Sequence, residues 1–91
     1  MSVEVRIPTV LRPKTGGQAV VCAEGTTVRE VLAAVEAVHP GFGPMVVEAS
    51  GALKRFINVF LDDEDVRYRQ GLDTPVADGA TLLILPAVAG G

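Results

Sequence analysis

Very little in this chain is equipped for side-chain chemistry. His39 is its only histidine and Cys22 its only cysteine, so a histidine-based triad and a cysteine metal site both lack partners. Carboxylates run together in Asp62-Asp63-Glu64-Asp65, and clustered carboxylates suit hard cations. The spacing is not that of a calcium loop, however, and reads as a solvated turn. Gly16-Gly17 lacks the longer glycine pattern, with Lys and Ser or Thr, that a phosphate loop needs. What remains is the end of the chain, Ile84-Leu85-Pro86-Ala87-Val88-Ala89-Gly90-Gly91. Its two glycines give up every side-chain contact, so any chemistry there belongs to the backbone carboxylate of Gly91. Glycine lets backbone pass through a narrow channel, and Pro86 cannot donate a ladder hydrogen bond and so helps end a sheet. Fully extended, Ala87 to Gly91 reach at most ~17 Å. That is enough to enter a partner's buried site, with Val88 filling a subsite, while the folded body stays outside.

The rest of the sequence must position that end. A chain of 91 residues makes one domain and buries roughly 60–65% of the surface its unfolded form exposes. Hydrophobic content of 48% against 21% charged residues is globular and leaves no room for long disorder. The net charge is −3 and the basic residues are scattered. No basic stripe marks a nucleic-acid surface, and protein partners with positive patches fit better. No run approaches membrane-spanning length and no leader precedes the first strand, so a cytoplasmic location is expected. Cys22 lies within the apolar run 19–23 and is expected to be small and buried.

Val3, Val5 and Ile7 alternate with Glu4 and Arg6, the period of a strand with one wet face. A turn at Thr15-Gly16-Gly17 and a second strand over 18–23 complete a hairpin. Thr27-Val28-Arg29-Glu30 fits a capping box, with the Thr27 hydroxyl accepting from Glu30 and the Glu30 carboxylate returning to Thr27. Val28, Val31, Leu32 and Val35 follow at helical spacing, with Val38 close to the same stripe. His39-Pro40-Gly41 ends the helix. A short helical turn is expected around 44–47, a dense strand over 56–61, a brief strand over 66–68 and a last strand over 81–85. This is an α+β layer, with one main helix across one face of a mixed sheet whose parallel centre is the first and last strands. Phe56 and Phe60 point opposite to Ile57, Val59 and Leu61, and Leu83 and Leu85 opposite to Leu82 and Ile84. The side away from the helix is therefore either tolerated as part of a parallel centre or a docking surface. Arg55, with Lys54 beside it, is either a solvated charge or a contact to an acidic groove on a partner.

This element order ending in Gly-Gly resembles the ubiquitin-like sulfur carriers, the group containing ThiS and MoaD. The segments "IPTVLRPKTGGQ", "RFINVFLDDEDVR" and "VADGATLLILPAVAGG" are similar above all to actinobacterial carriers that serve cysteine synthesis, and together they span nearly the whole chain. The resemblance implies a ubiquitin-like β-grasp domain over 1–86 and a flexible tail over 87–91. In that family an E1-like adenylyltransferase and sulfurtransferase activates the terminal glycine with ATP. A sulfur donor then converts the acyl adenylate to a thiocarboxylate. By resemblance Gly91 carries the sulfur, Ala87, Val88, Ala89 and Gly90 thread into the partner, and Phe60, Arg55 and Phe56 face it.

The same resemblance implies that the carrier is not itself an enzyme. It supplies no catalytic side chain, no metal site and no cofactor of its own. Its further partners would be a pyridoxal-phosphate-dependent cysteine synthase and a metalloprotease that releases the product, with no nucleic acid and no membrane. Delivery to molybdopterin, a thiazole or a thiolated secondary metabolite is the first alternative. A protein modifier that acylates lysines is the second, for which only Lys14 and Lys54 would serve self-linked chains.

Overall fold

The computed structural model describes residues 2–86. Five strands form one mixed sheet: β1 (Ser2–Arg6), β2 (Val20–Glu24), β3 (Ile57–Leu61), β4 (Glu64–Asp65) and β5 (Thr81–Pro86), in the spatial order β2-β1-β5-β3-β4. β1 pairs parallel with β5, as the sequence predicts, and antiparallel with β2. β5 pairs antiparallel with the whole of β3, from Ile57 opposite Pro86 to Leu61 opposite Leu82.

The β1–β2 connection is more than a tight turn. A 3-10 helix over Thr9–Thr15 fills it, and buried Leu11 sits in this connection. The buried Thr15 hydroxyl is satisfied by the carbonyls of Gln18 at 2.9 Å and Arg12 at 3.3 Å. Gly16 and Gly17 then take positive φ, torsions that glycine adopts without steric cost.

Helix α1 (Val28–Val38) crosses one face of the sheet. Its Val28, Val31, Leu32 and Val35 are buried with Val3, Val5, Val59, Leu82 and Ile84 from the strands. Val38 does not belong to this stripe: it is 72% exposed, on the helix's last residue. Thr27 caps the helix, its hydroxyl accepting from the Glu30 amide at 3.2 Å. The return bond differs from the expected box. Glu30 Oε1 accepts from both the amide and the hydroxyl of Thr26, each at 2.8 Å, one residue earlier than Thr27. At the other end, the Glu36 carboxylate accepts from Gly43 N–H at 2.7 Å and from Gly41 N–H at 3.1 Å. Those bonds fasten the short helix α2 (Gly43–Val46) to α1 and set Phe42, fully buried, into the core.

The segment after β3 departs from the expected brief strand over 66–68. Asp62 and Asp63 both have positive φ, the two-residue turn that matches strand twist and that Asp tolerates. The short strand is therefore Glu64–Asp65, and Val66–Tyr68 is a 3-10 turn.

Candidate functional site

The candidate site is the end of the last strand together with the open side of the sheet. β5 has its C-terminal end beside the start of β3, because Ile57 is the register partner of Pro86. Gly91 and the threading residues Ala87, Val88, Ala89 and Gly90 lie outside the described residues. Phe56 stands immediately before Ile57 and is 54% exposed, with the Arg55 guanidinium 5.5 Å over its ring. That is cation–π distance. Arg55 and Phe56 thus flank the end of β5.

Phe60 is farther along the open face. It lies opposite Leu83 in register and is half-buried. Leu83 in turn neighbours Arg6 of β1. Phe60 and Leu83, with Arg6, Asp62, Asp63 and Thr81, line a shallow depression. Arg6 is held there by Glu4, with Nε 2.8 Å from Oε2. A second depression, nearer the end of β5, has Leu85 and Val20 in its wall, and both are exposed. The open face is thus an apolar strip from Phe60 through Leu83 to Leu85, edged by charge. Such a strip offers shape and hydrophobic contact but no nucleophile or proton donor.

The acidic run is accounted for structurally. Asp62 Oδ1 accepts from the Thr81 amide at 3.0 Å, Asp65 Oδ1 from the Arg67 amide at 2.9 Å, and Glu64 pairs with Arg69 at 2.8 Å. Among the described residues no group of His, Cys, Asp or Glu is placed to hold a metal ion. Cys22 is exposed, against expectation. In an all-apolar run, period two does not say which side chains face in, and Val21 and Ala23 take the core positions while Cys22 shares the open side with Glu4. His39 caps the C-terminal end of α1 through its backbone amide, which donates to Val35 O at 2.8 Å. No helix among the described residues is long and apolar enough to cross a membrane.

Around Arg67, the sequence reading missed a feature. Its guanidinium donates to Asn58 Oδ1 and to Lys54 O, both at 2.7 Å, binding the 3-10 turn to the approach of β3. The beside-lying Tyr68 is 89% exposed. The alternation Val66-Arg67-Tyr68 imitates a strand, and nothing in three residues distinguishes the two.

The chain is similar to known proteins along nearly its whole length. The ThiS family model matches residues 5–91. The sulfur carrier protein CysO of Mycobacterium tuberculosis is 50% identical, with the whole of both chains covered. A chain in the crystal structure of the Amycolatopsis orientalis BexX/CysO complex is 53% identical with a TM-score of 0.92, covering 98% of this chain and 99% of that one. The small archaeal modifier protein 1 of Haloferax volcanii has the same fold at 28% identity and a TM-score of 0.83, with both chains fully covered. The architecture is the ubiquitin-like β-grasp.

Proposed function

The chain belongs to the ThiS family, and from that premise we propose that it carries sulfur as a thiocarboxylate on Gly91, for cysteine synthesis. The observation that supports this most is the match along both full lengths to a sulfur carrier protein at 50% identity, in a chain whose sequence ends in Gly-Gly.

A carboxylate is a poor electrophile until its hydroxide-equivalent becomes a good leaving group. An E1-like adenylyltransferase would let the Gly91 carboxylate attack the α-phosphorus of ATP, releasing pyrophosphate and forming the acyl adenylate. A sulfur donor then displaces AMP and leaves the thiocarboxylate, a soft anionic nucleophile held on a body that enzymes can recognise. The acceptor in this reading is a pyridoxal-phosphate-dependent cysteine synthase, whose cofactor supplies an electrophile made from O-phosphoserine. After sulfur attack, an S-to-N acyl shift leaves cysteine amide-linked to Gly91. A metalloprotease hydrolyses that amide and restores the carboxylate. Throughout, the carrier contributes the acyl group, the threading residues Ala87, Val88, Ala89 and Gly90, and a docking face with Phe60, Arg55 and Phe56. The cycle runs among cytoplasmic enzymes.

The test is to incubate the protein with an activating enzyme, ATP and a sulfur source and to measure its intact mass. The expected gain is the difference between one sulfur and one oxygen. A form extended by one residue beyond Gly91 should gain nothing while staying folded. Thiocarboxylation of that extended form without trimming would overturn the assignment of Gly91. The likeness to an archaeal modifier protein supports a second reading, in which activated Gly91 acylates a lysine. A branched conjugate in place of the thioacid would favour it.

A further inference from the structure

Half of the chain's eight basic residues gather at one corner of the sheet. Lys54 and Arg55 lead into β3, and Arg67 and Arg69 flank Tyr68 on the 3-10 turn after β4. The two segments are one surface because the Arg67 guanidinium reaches the Lys54 carbonyl at 2.7 Å. Two exposed aromatics, Phe56 and Tyr68, stand among these cations.

The positive charge at this corner is only partly compensated. Of the four cations only Arg69 has a carboxylate partner among the described residues, namely Glu64. Arg67 spends its guanidinium on two neutral oxygens, an amide and a backbone carbonyl. Arg55 lies over the Phe56 ring. Asp65 keeps its negative charge while accepting from the Arg67 amide, and Glu48 shares a depression with Lys54, so the four cations outnumber the three nearby carboxylates Glu48, Glu64 and Asp65. A chain of net charge −3 therefore presents a positive corner, and it does so next to Pro86, where β5 ends opposite Ile57. Exposed Arg and Tyr are the side chains most often found at the energetic centre of interfaces.

We propose that this corner, distinct from the apolar strip around Phe60 and Leu83, docks on an acidic collar at the opening through which the activating enzyme receives residues 87–91. The proposal rests on the carrier reading for the identity of that partner. Opposite charge around the opening orients the carrier before the apolar strip makes contact, a steering effect that salt screens within roughly 10 Å at 0.1 M.

Arg55→Glu and Tyr68→Ala are the informative variants. Arg55 is exposed and Tyr68 almost fully so, whereas Arg67 is left in place because it ties two segments together. At about 50 mM salt, Arg55→Glu should bind the activating enzyme roughly tenfold more weakly than the unaltered chain, and the gap should close to within about twofold near 0.5 M. Tyr68→Ala should weaken binding severalfold at both salt concentrations. If both variants bind within about twofold of the unaltered chain at low salt, the corner is not a docking surface. If the unaltered chain is never loaded with sulfur, it is the carrier reading that fails. An arm that needs no enzyme is titration of the isotope-labelled protein with decaglutamate. Saturable amide shifts confined to residues 54–56 and 67–69 support the proposal. Shifts that spare those residues, or tighter binding there by a thymidine decamer, overturn it.

Discussion

The two sides of β5 carry nearly the same amino acids and lead different lives. Leu82 and Ile84 are fully buried beneath α1, while Leu85, on the alternate register, is 39% exposed and Leu83 is intermediate. β3 repeats the pattern, with Val59 buried and Phe60 half-covered opposite Leu83. A single helix covers a single face, so hydrophobic residues on the other face gain little from folding alone. Similar side chains thus serve stability on one side and are left available for association on the other. The strip formed there by Phe60, Leu83 and Leu85 consists of apolar side chains, and under the proposed function its contribution would be to hold a partner.

The comparison breaks most visibly at Leu82. Leu82→Ala should cost about 2–5 kcal/mol of stability, the range for a large-to-small change in a packed core. Chemical denaturation measures it, and a loss below about 1 kcal/mol, typical of surface positions, would mean that the two faces are not energetically distinct.

Phe60→Ala is the matching change on the open side. A phenylalanine ring buries ~150 Å² or more in full, and Phe60 is already half-covered. A partner covering the exposed minority of the ring gains on the order of 1 kcal/mol before the costs of binding. The variant should lose about 1–2 kcal/mol of stability and should bind the activating enzyme severalfold more weakly, by ~1 kcal/mol or less. A stability loss of about 3–5 kcal/mol, as for a core aromatic, would return Phe60 to the core and remove it from the docking face.

Much of this division was legible because it rests on periodicity. Val3 and Val5 against Glu4 and Arg6, and the Val28-Val31-Leu32-Val35 stripe, each assign a face with local information alone. The β1–β2 hairpin and the parallel β1–β5 centre followed from element order, while the pairings of β3 with β5 and β4 were not read from it. Four features resisted. Cys22 sits in a run without polar contrast, so its outward direction depends on register with β1. Val38 keeps the spacing of the stripe but stands on the helix's last residue, where it remains exposed. Phe42 enters the core from a connection whose path is set by Glu36, seven residues away from its amide partner Gly43. Tyr68 belongs to a corner assembled by a long-range bond from Arg67 to Lys54. Cys22 and Tyr68 depend on contacts between segments that no short window contains, and Val38 and Phe42 on where a helix ends and how the next connection is fastened. For the candidate site, the reactive end is read from composition and resemblance, whereas the open face needed alternation along β3 and β5 and the positive corner needed coordinates.

The covered side also depends on how α1 is fastened. Thr27→Ala removes the hydroxyl that accepts from Glu30 N–H, and loss of such a cap costs about 1 kcal/mol. Sulfur loading should persist, because nothing on the open side changes. An unaltered melting temperature would show that the hydroxyl contributes nothing to holding the helix over the sheet.

The smallest expected effect is a pH dependence at the same helix end. The Glu30 carboxylate accepts from the backbone amide and then from the hydroxyl of Thr26. Those bonds, the amide's first, favour the charged form and hold its pKa below the ordinary 4.5, against a slight opposing desolvation. A carboxylate whose folded-state pKa is depressed adds stability above its unfolded value and loses it as pH falls through the lowered folded value. The increment from Glu30 is therefore complete at neutral pH, begins to fall near 4.5 and is gone once the folded-state carboxylate is protonated. Glu30→Gln keeps an acceptor for Thr26 but removes the titration. Denaturation curves for the two proteins should be farthest apart at neutral pH and draw together through the acid range. A separation that stayed constant from neutral pH to below the carboxylate range would show that the bonds to Thr26 do not favour the charged form, and that the helix over the covered face is held by Thr27 and packing alone.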